Sequence, residues 1–166
     1  MSKQIKIVSG ILLFLALLLA LLAWANSRGL SSVGPAQISL KLDGEPLVLL
    51  DKDDLLTLPS QTFEITQRSG EQGTFGYIYT GVALRVLLES RGIDIFQLKQ
   101  VTVRGGDGYI SIVSATELQE EDNVFLAYAA NGEDIPGKHP YRLVIRADYY
   151  ALRWCRLVME IEAESL

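Results

Sequence analysis

Thiol and imidazole are almost missing from this chain, whose 166 residues include one cysteine, Cys155, and one histidine, His139. A single cysteine excludes an internal disulfide, so the fold must be held by its own core. A single histidine, with no Cys, His or carboxylate at the usual ligand spacing, cannot build a zinc or haem site. It also leaves no Ser/His/Asp or Cys/His set that does without His139. Basic charge is scarce too: 15 Lys and Arg stand against 20 Asp and Glu, a net charge of −5, which argues against general nucleic-acid binding. No internal repeat is visible. The Gly105-Gly106-Asp107-Gly108-Tyr109 turn leads into a strand rather than a helix, which excludes a phosphate loop of the P-loop or dinucleotide type. In such a turn the aspartate caps its own backbone and the glycines supply positive φ. The carboxylate pairs Asp53-Asp54 and Glu120-Glu121 read as solvated helix and loop charge. At this length there is room for one globular domain.

What the chain does have is one long apolar run. Ile7 to Ala25 is a stretch of 19 residues without charge, dominated by leucine. As a helix it would be roughly 28 Å long, close to the hydrocarbon thickness of a bilayer. Lys3 and Lys6 precede it and only Arg28 follows closely, so the positive-inside rule keeps the first residues in the cytoplasm and exports the rest. Ala23-Trp24-Ala25 has the small-x-small form of a cleavage site, but a signal h-region is normally about 7 to 15 residues, which favours an uncleaved anchor over a signal segment. No cysteine follows the run, which excludes the usual lipoprotein anchor. Residues 26–36, rich in Ser and Gly with Pro35, read as a tether. Setting Lys3 and Lys6 aside leaves 13 basic against 20 acidic residues, a balance of −7 for the expected exported part. That charge is uneven. Glu117 to Asp134 holds six acids and no base, whereas Lys138 to Arg156 holds five bases and only Asp148 as an acid. The second stretch is where an anion site would lie, unless its bases simply face solvent.

From Gln37 onward the pattern is that of many short strands. Gln37 to Leu42 alternates and Leu47 to Leu50 continues apolar, a hairpin-like start. Asp51 to Leu58 reads as a short helix with Asp51 as N-cap and Pro59 as its stop. Gln61 to Arg68 and Thr74 to Thr80, joined by a polar turn, read as a second hairpin. Val82 to Ser90 takes a helical period closed by Gly92. Strands are expected at 98–104, 109–114, 124–129, 141–146 and 153–162, with a helical turn near 115–118. Strands outnumber helices, and the helices are isolated connectors, which predicts an α+β domain over 37–166: a mixed, bent β-sheet with two or three short helices.

Five groups of residues then fall in a telling order: Leu55 to Pro59; Tyr79-Thr80-Gly81-Val82-Ala83-Leu84 with Leu87-Leu88; Asp107-Gly108-Tyr109; Ala127-Tyr128 with Asn131-Gly132; and Pro140 to Ile145 with Arg153-Trp154. Their order and spacing resemble the oxidoreductase molybdopterin-binding domain, the sulfite oxidase fold, in the manner of its short, stand-alone members. The resemblance implies a molybdopterin cofactor bound through its phosphate and polar ring edges. It also implies a cysteine thiolate on molybdenum at the close of the second early strand, where this chain reads Glu64 to Gly70 without a cysteine. Thiolate is a soft, charge-donating ligand that Gln or Arg cannot replace, and a hydroxyl such as Ser69 in a Ser-Gly turn is more often turn chemistry. Two further departures stand at Ile145-Arg146, in place of a proline-glycine turn, and at Tyr149-Tyr150, where bulk would narrow a pocket.

By the same resemblance Arg142 and Arg153 match positions that help bind the pterin or its phosphate. With Arg146, Asp107 and Tyr109 they form the candidate cofactor-binding set; no catalytic or metal-ligating residue is assigned. The competing expectation is that Arg142 shares the open face of its strand with Val144 and Arg146, and that Arg153 is a strand-start charge. Tyr77 and Tyr79, two apart, either line a cleft or pack across strands. Cys155 alternates with Leu157, Met159 and Ile161 and reads as a small hydrophobe in the core. The sequence therefore points to a membrane-tethered, extracytoplasmic ligand-binding or accessory module without the molybdenum thiolate. A genuine molybdopterin oxidoreductase and a structural domain of an envelope complex are the alternatives. The expected partners are the membrane, a pterin or other phosphate-bearing small molecule, and an envelope or redox protein, with no nucleic acid.

Overall fold

The computed structural model describes residues 11–21, 33–69 and 73–166. Residues 11–21 are helical (α1) with exposed side chains, and no helix among the described residues is long and apolar enough to cross a membrane. The remainder of the expected anchor (7–10 and 22–25), the Ala23-Trp24-Ala25 site, residues 26–32 of the tether and the turn at 70–72 lie outside the described residues. The chain divides into Met1–Gly34 and Pro35–Leu166, and the second unit carries two β-sheets.

Its elements are β1 (Ile38–Leu42), β2 (Glu45–Leu50), α2 (Lys52–Leu56), β3 (Ser60–Ser69), β4 (Gly73–Ala83), α3 (Leu84–Ser90), a 3-10 turn (Ile95–Gln97), β5 (Leu98–Gly105), β6 (Ile110–Ser114), α4 (Ala115–Gln119), β7 (Val124–Ala130), β8 (Glu133–Asp134), β9 (Arg142–Ile145) and β10 (Val158–Ser165). The first sheet runs β2-β1-β10-β5-β6, with β1 and β10 parallel and the other neighbours antiparallel. The second is antiparallel, in the order β3-β4-β7, and β8 and β9 both pair with β7. The α+β class holds, but the strands form two sheets rather than one bent sheet.

Local chemistry explains the turns. Asp43-Gly44 and Asn131-Gly132 all have positive φ (51°, 84°, 53° and 83°), the geometry of two-residue hairpin turns that suit the twist of their flanking strands. Asn131 adds a lock, its side-chain oxygen accepting from the Ile78 N–H at 3.0 Å. Asp51 and Ser114 each close a capping box, on α2 and α4 respectively. The apolar faces of α3 (Leu84, Leu87, Leu88), β5 (Val101, Val103) and β7 (Phe125, Leu126, Ala127) are fully buried or nearly so.

Two expected boundaries are corrected. Val82 and Ala83 belong to β4, paired with Leu126 and Phe125, because tertiary pairing overrides the helical period that starts there. Residues 153–157 are not the start of a long strand: Arg153–Cys155 form turn and loop, Arg156 makes an isolated bridge to Arg142, and Leu157 sits at φ 54°, so the regular ladder begins at Val158. The expected alternation from Cys155 through Leu157 and Met159 to Ile161 is broken: the register slips between Val158 and Glu160. Leu157 is only half-buried, Met159 is buried outside the core cluster that holds Val158 and Ile161, and Cys155 reaches that core from the irregular segment.

At Gly81 the β4–β7 register slips, and a Cβ there would lie 2.4 Å from the Leu126 carbonyl oxygen and 2.6 Å from Ala127 Cα. Backbone cannot retreat as a flexible side chain can. Gly81→Ala is therefore expected to cost about 2 to 3 kcal/mol, the upper part of the range for overpacking, read as a lower denaturation midpoint with unchanged m-value. An unaltered midpoint would show that the two strands do not pack this closely.

Candidate functional site

An open cleft of about 490 Å3 lies where β9, the 105–109 turn and the segment 150–156 meet. Its aromatic wall is Tyr77, Tyr109, Tyr150 and Trp154, and its charged groups are Asp107, Arg142 and Arg156. The wall is fixed from behind. Tyr79 is fully buried, stacks on Tyr77 with centroids 5.8 Å apart, and meets the Trp154 ring edge-on at 6.0 Å. The Trp154 indole N–H donates to the Ile145 carbonyl at 2.9 Å, tying the segment to the end of β9. The Tyr109 hydroxyl donates to the Leu152 carbonyl, and the Ser111 hydroxyl to that of Arg153 at 2.6 Å. The turn below is self-capped: the Asp107 carboxylate accepts from the Tyr109 N–H at 3.1 Å, and Gly108 has φ 84°.

Arg142 and Arg156 are brought side by side by their antiparallel backbone bridge. Like charges placed opposite one another across strands repel, and neither guanidinium makes an ion pair among the described residues. Arg142 donates through Nη1 to the Tyr79 hydroxyl and lies over the Tyr79 ring, 5.7 Å from its centroid. Its Nε is buried without a hydrogen-bond partner. A buried N–H of a cation left unmade is expensive, but a nitrogen closed off from water is equally closed to a ligand oxygen in the open cleft.

The five candidates from the sequence do not all meet. Arg142, Asp107 and Tyr109 line the cleft together. Arg146 instead donates to the Asp122 carbonyl at 3.1 Å and lies over the Phe63 ring. Arg153 is 2.8 Å from Glu117 and 3.6 Å from Asp148; the Arg153 hydrogen bond, chiefly, holds the Glu117 carboxyl below its usual range and raises the arginine in turn. Val144 is fully buried, so β9 offers no open face for Arg142 to share with it. Tyr150 lines the cleft, which is open. Arg156 was missed by the sequence reading. The available signal was the fifth base in the Lys138–Arg156 stretch, but nothing in the spacing shows the bridge that sets it opposite Arg142.

The model of the oxidoreductase molybdopterin binding domain matches residues 31–165. The chain belongs to this family. No curated protein matches it. Among solved structures it is similar to the sulfane dehydrogenase SoxCD from Paracoccus pantotrophus, with a TM-score of 0.64 and 22% identity over 77% of this chain and 38% of that one. That likeness is one of fold, and the chain spans well under half the length of that enzyme chain.

Whether the residues present fit the family's cofactor has two answers. For a phosphate-bearing pterin they fit: Arg142 and Arg156 supply anion donors, and the rings of Tyr77, Tyr109 and Trp154 supply a stacking surface. For a thiolate-held metal they do not. Cys155 is fully buried and outside the cleft lining, with Sγ 3.5 Å from the Arg156 carbonyl oxygen and 3.9 Å from that of Tyr109. Burial first, then the Asp107 charge, pushes its thiol up to about 12, so it stays protonated. No group of three His, Cys, Asp or Glu among the described residues is placed to hold a metal ion.

A protonated, enclosed thiol is inert. At pH 8 Cys155 is expected to react with a disulfide reagent on the order of a hundredfold more slowly in the folded chain than in denaturant. Equal rates would put the thiol at the surface and reopen it as a ligand.

Proposed function

We propose that this chain is a membrane-tethered, extracytoplasmic binding or accessory module that retains the ligand cleft of the molybdopterin-binding fold without the molybdenum thiolate. The observation that carries this reading is the Arg142–Arg156 bridge, which sets two guanidiniums at an aromatic cleft with Asp107 as the one carboxylate in the lining. Such a site takes a planar ring bearing a phosphate: a pterin phosphate, or a nucleotide of similar shape. The ring stacks on tyrosine and tryptophan faces while the guanidinium forks meet the anionic oxygens. Tyr79 holds the Arg142 guanidinium in place before the ligand arrives, which lowers the ordering cost of binding. Support for the tether comes from the uncharged run Ile7 to Ala25 with Lys3 and Lys6 before it.

Family membership favours a second reading, a genuine molybdopterin oxidoreductase working with a redox partner. Molybdenum bound as the metal of such an enzyme would be a Lewis-acidic redox centre. In that case Arg142 and Arg156 would hold the cofactor's phosphate, and the ligand to the metal would have to come from outside Cys155.

Guanosine monophosphate titrated into the full chain by calorimetry tests the first reading. Arg142→Ala should weaken binding by about 1.5 to 3 kcal/mol, roughly ten- to a hundredfold, the range for a lost charge-assisted hydrogen bond. Arg85→Ala, which removes a surface cation 3.6 Å from Glu121, should leave it unchanged. No binding by the parent chain, or equal binding by Arg142→Ala, would remove the ligand-site reading. Stoichiometric molybdenum in the same preparation would establish the second reading. For topology, protease added to intact spheroplasts should digest the domain, and its protection there would overturn the extracytoplasmic placement.

A further inference from the structure

A second cavity, of about 320 Å3, adjoins the first and shares Asp107, Arg142 and Arg156 with it. Its remaining lining is Ile135, Pro136, Tyr141 and Leu157. The guanidinium pair therefore stands between two compartments, one walled largely by phenol and indole rings and the other by Ile135, Pro136 and Leu157 around the buried Tyr141 ring. Each is within the size range of small-molecule sites, about 300 to 1,000 Å3.

The second compartment has few polar groups with which to hold water. The Tyr141 hydroxyl is already spent on the Ala36 carbonyl at 2.7 Å, and the tyrosine is buried. The Ile135 N–H donates to Tyr128 and the Leu157 carbonyl accepts from the Gly106 N–H, at 3.1 and 2.9 Å. Pro136 has no N–H to give. The compartment is as open to solvent as the first, and the charged groups in its lining are Arg142, Arg156 and Asp107 at the boundary. Leu157 also holds a positive φ of 54°, a conformation leucine adopts only when its surroundings impose it. Its Cδ2 lies where a Cβ on Gly137 would meet it at 3.7 Å, over the 136–137 turn that forms the far wall.

We propose that the site takes a small amphipathic anion: a phosphate or carboxylate seated on Arg142 and Arg156, with an unbranched apolar tail lying in the compartment formed by Ile135, Pro136, Tyr141 and Leu157. The proposal rests on the anion-site reading and adds the substrate class. A ring in the first cleft is compatible with it but not required. The Asp107 carboxylate, held by the Tyr109 N–H, lines both compartments and offsets one of the two guanidinium charges.

Inorganic, methyl, ethyl and n-butyl phosphate titrated into the full chain in lipid nanodiscs, with empty-nanodisc heats subtracted, test this directly. Affinity should rise from methyl to butyl by a factor of about two to four per methylene, while n-butylammonium should not bind. In Leu157→Gly, which keeps the positive φ at no steric cost and removes the wall, the gain per methylene should fall by at least half. Ile135→Ser should act in the same direction, with the melting temperature of both variants confirming a folded chain. Phosphate binding that is blind to tail length, or a length dependence untouched in both variants, would overturn the amphipathic ligand and leave the anion site standing. Binding of butylammonium as tightly as butyl phosphate would overturn it too, as non-specific apolar uptake. Absence of binding by any phosphate would remove both the tail compartment and the anion-site reading beneath it.

Discussion

The Tyr79 side chain is the constraint on which the cleft depends. It is fully buried, it stacks on Tyr77 from its own strand, and it takes the edge of Trp154 from the segment leading into β10. Its hydroxyl accepts from Arg142 on β9. One phenol therefore joins the central hairpin, a short strand and an irregular segment that no regular ladder would hold together. Phe63 and Phe125, whose rings are 4.4 Å apart, continue the cluster away from the cleft. A ring that buries this much surface and also satisfies its hydroxyl contributes both the area term and a fixed orientation, so the arginine above it is positioned rather than merely present.

That positioning is what separates Arg142 from the other bases of the same stretch. Arg153 meets two carboxylates, so its charge is compensated within the fold, and Arg146 is exposed and turned to a carbonyl and the Phe63 ring away from the cleft. Arg142 and Arg156 face one another with only Asp107 nearby in the lining. Placing two cations opposite each other costs stability unless something else gains. Sites that break a local rule of this kind are where function is expected to lie.

The sequence showed the β1–β2 and β3–β4 hairpins, because their signals are local. The β1–β2 turn and the Asp51 cap of α2 were legible because a few neighbouring residues set them, whereas the Asn131-Gly132 hairpin and the Ser114 capping box, with signals just as local, were not expected. It misjudged the segments whose state is set from a distance. Val82 and Ala83 have a helical period yet complete β4, since Gly81 lets Leu126 approach. Residues 153–157 look like strand, but Leu157 turns the chain out of the ladder. For the same reason only part of the cleft was legible. Arg142, Asp107 and Tyr109 lie in motifs that can be recognised in order, whereas Arg156 enters through a single backbone bridge and the tail compartment through residues 135–136 and 157, which no spacing rule connects.

The first sheet has its own consequence. β1, the first strand of the domain, pairs in parallel with β10, the last, and the Asp43 turn beyond β1 is bonded to Ser165, 122 positions away. Glu160 of β10 then ties Lys41 and Arg104 of the strands on either side, both at 2.8 Å. A central strand that comes last cannot be replaced by local structure, and closing so long a loop carries an entropy cost before any contact returns it. The first sheet is therefore incomplete until β10 has taken its place between β1 and β5. Losing β10 would not shorten this sheet by one strand but split it, leaving β1 and β5 as two unpaired edges in its middle.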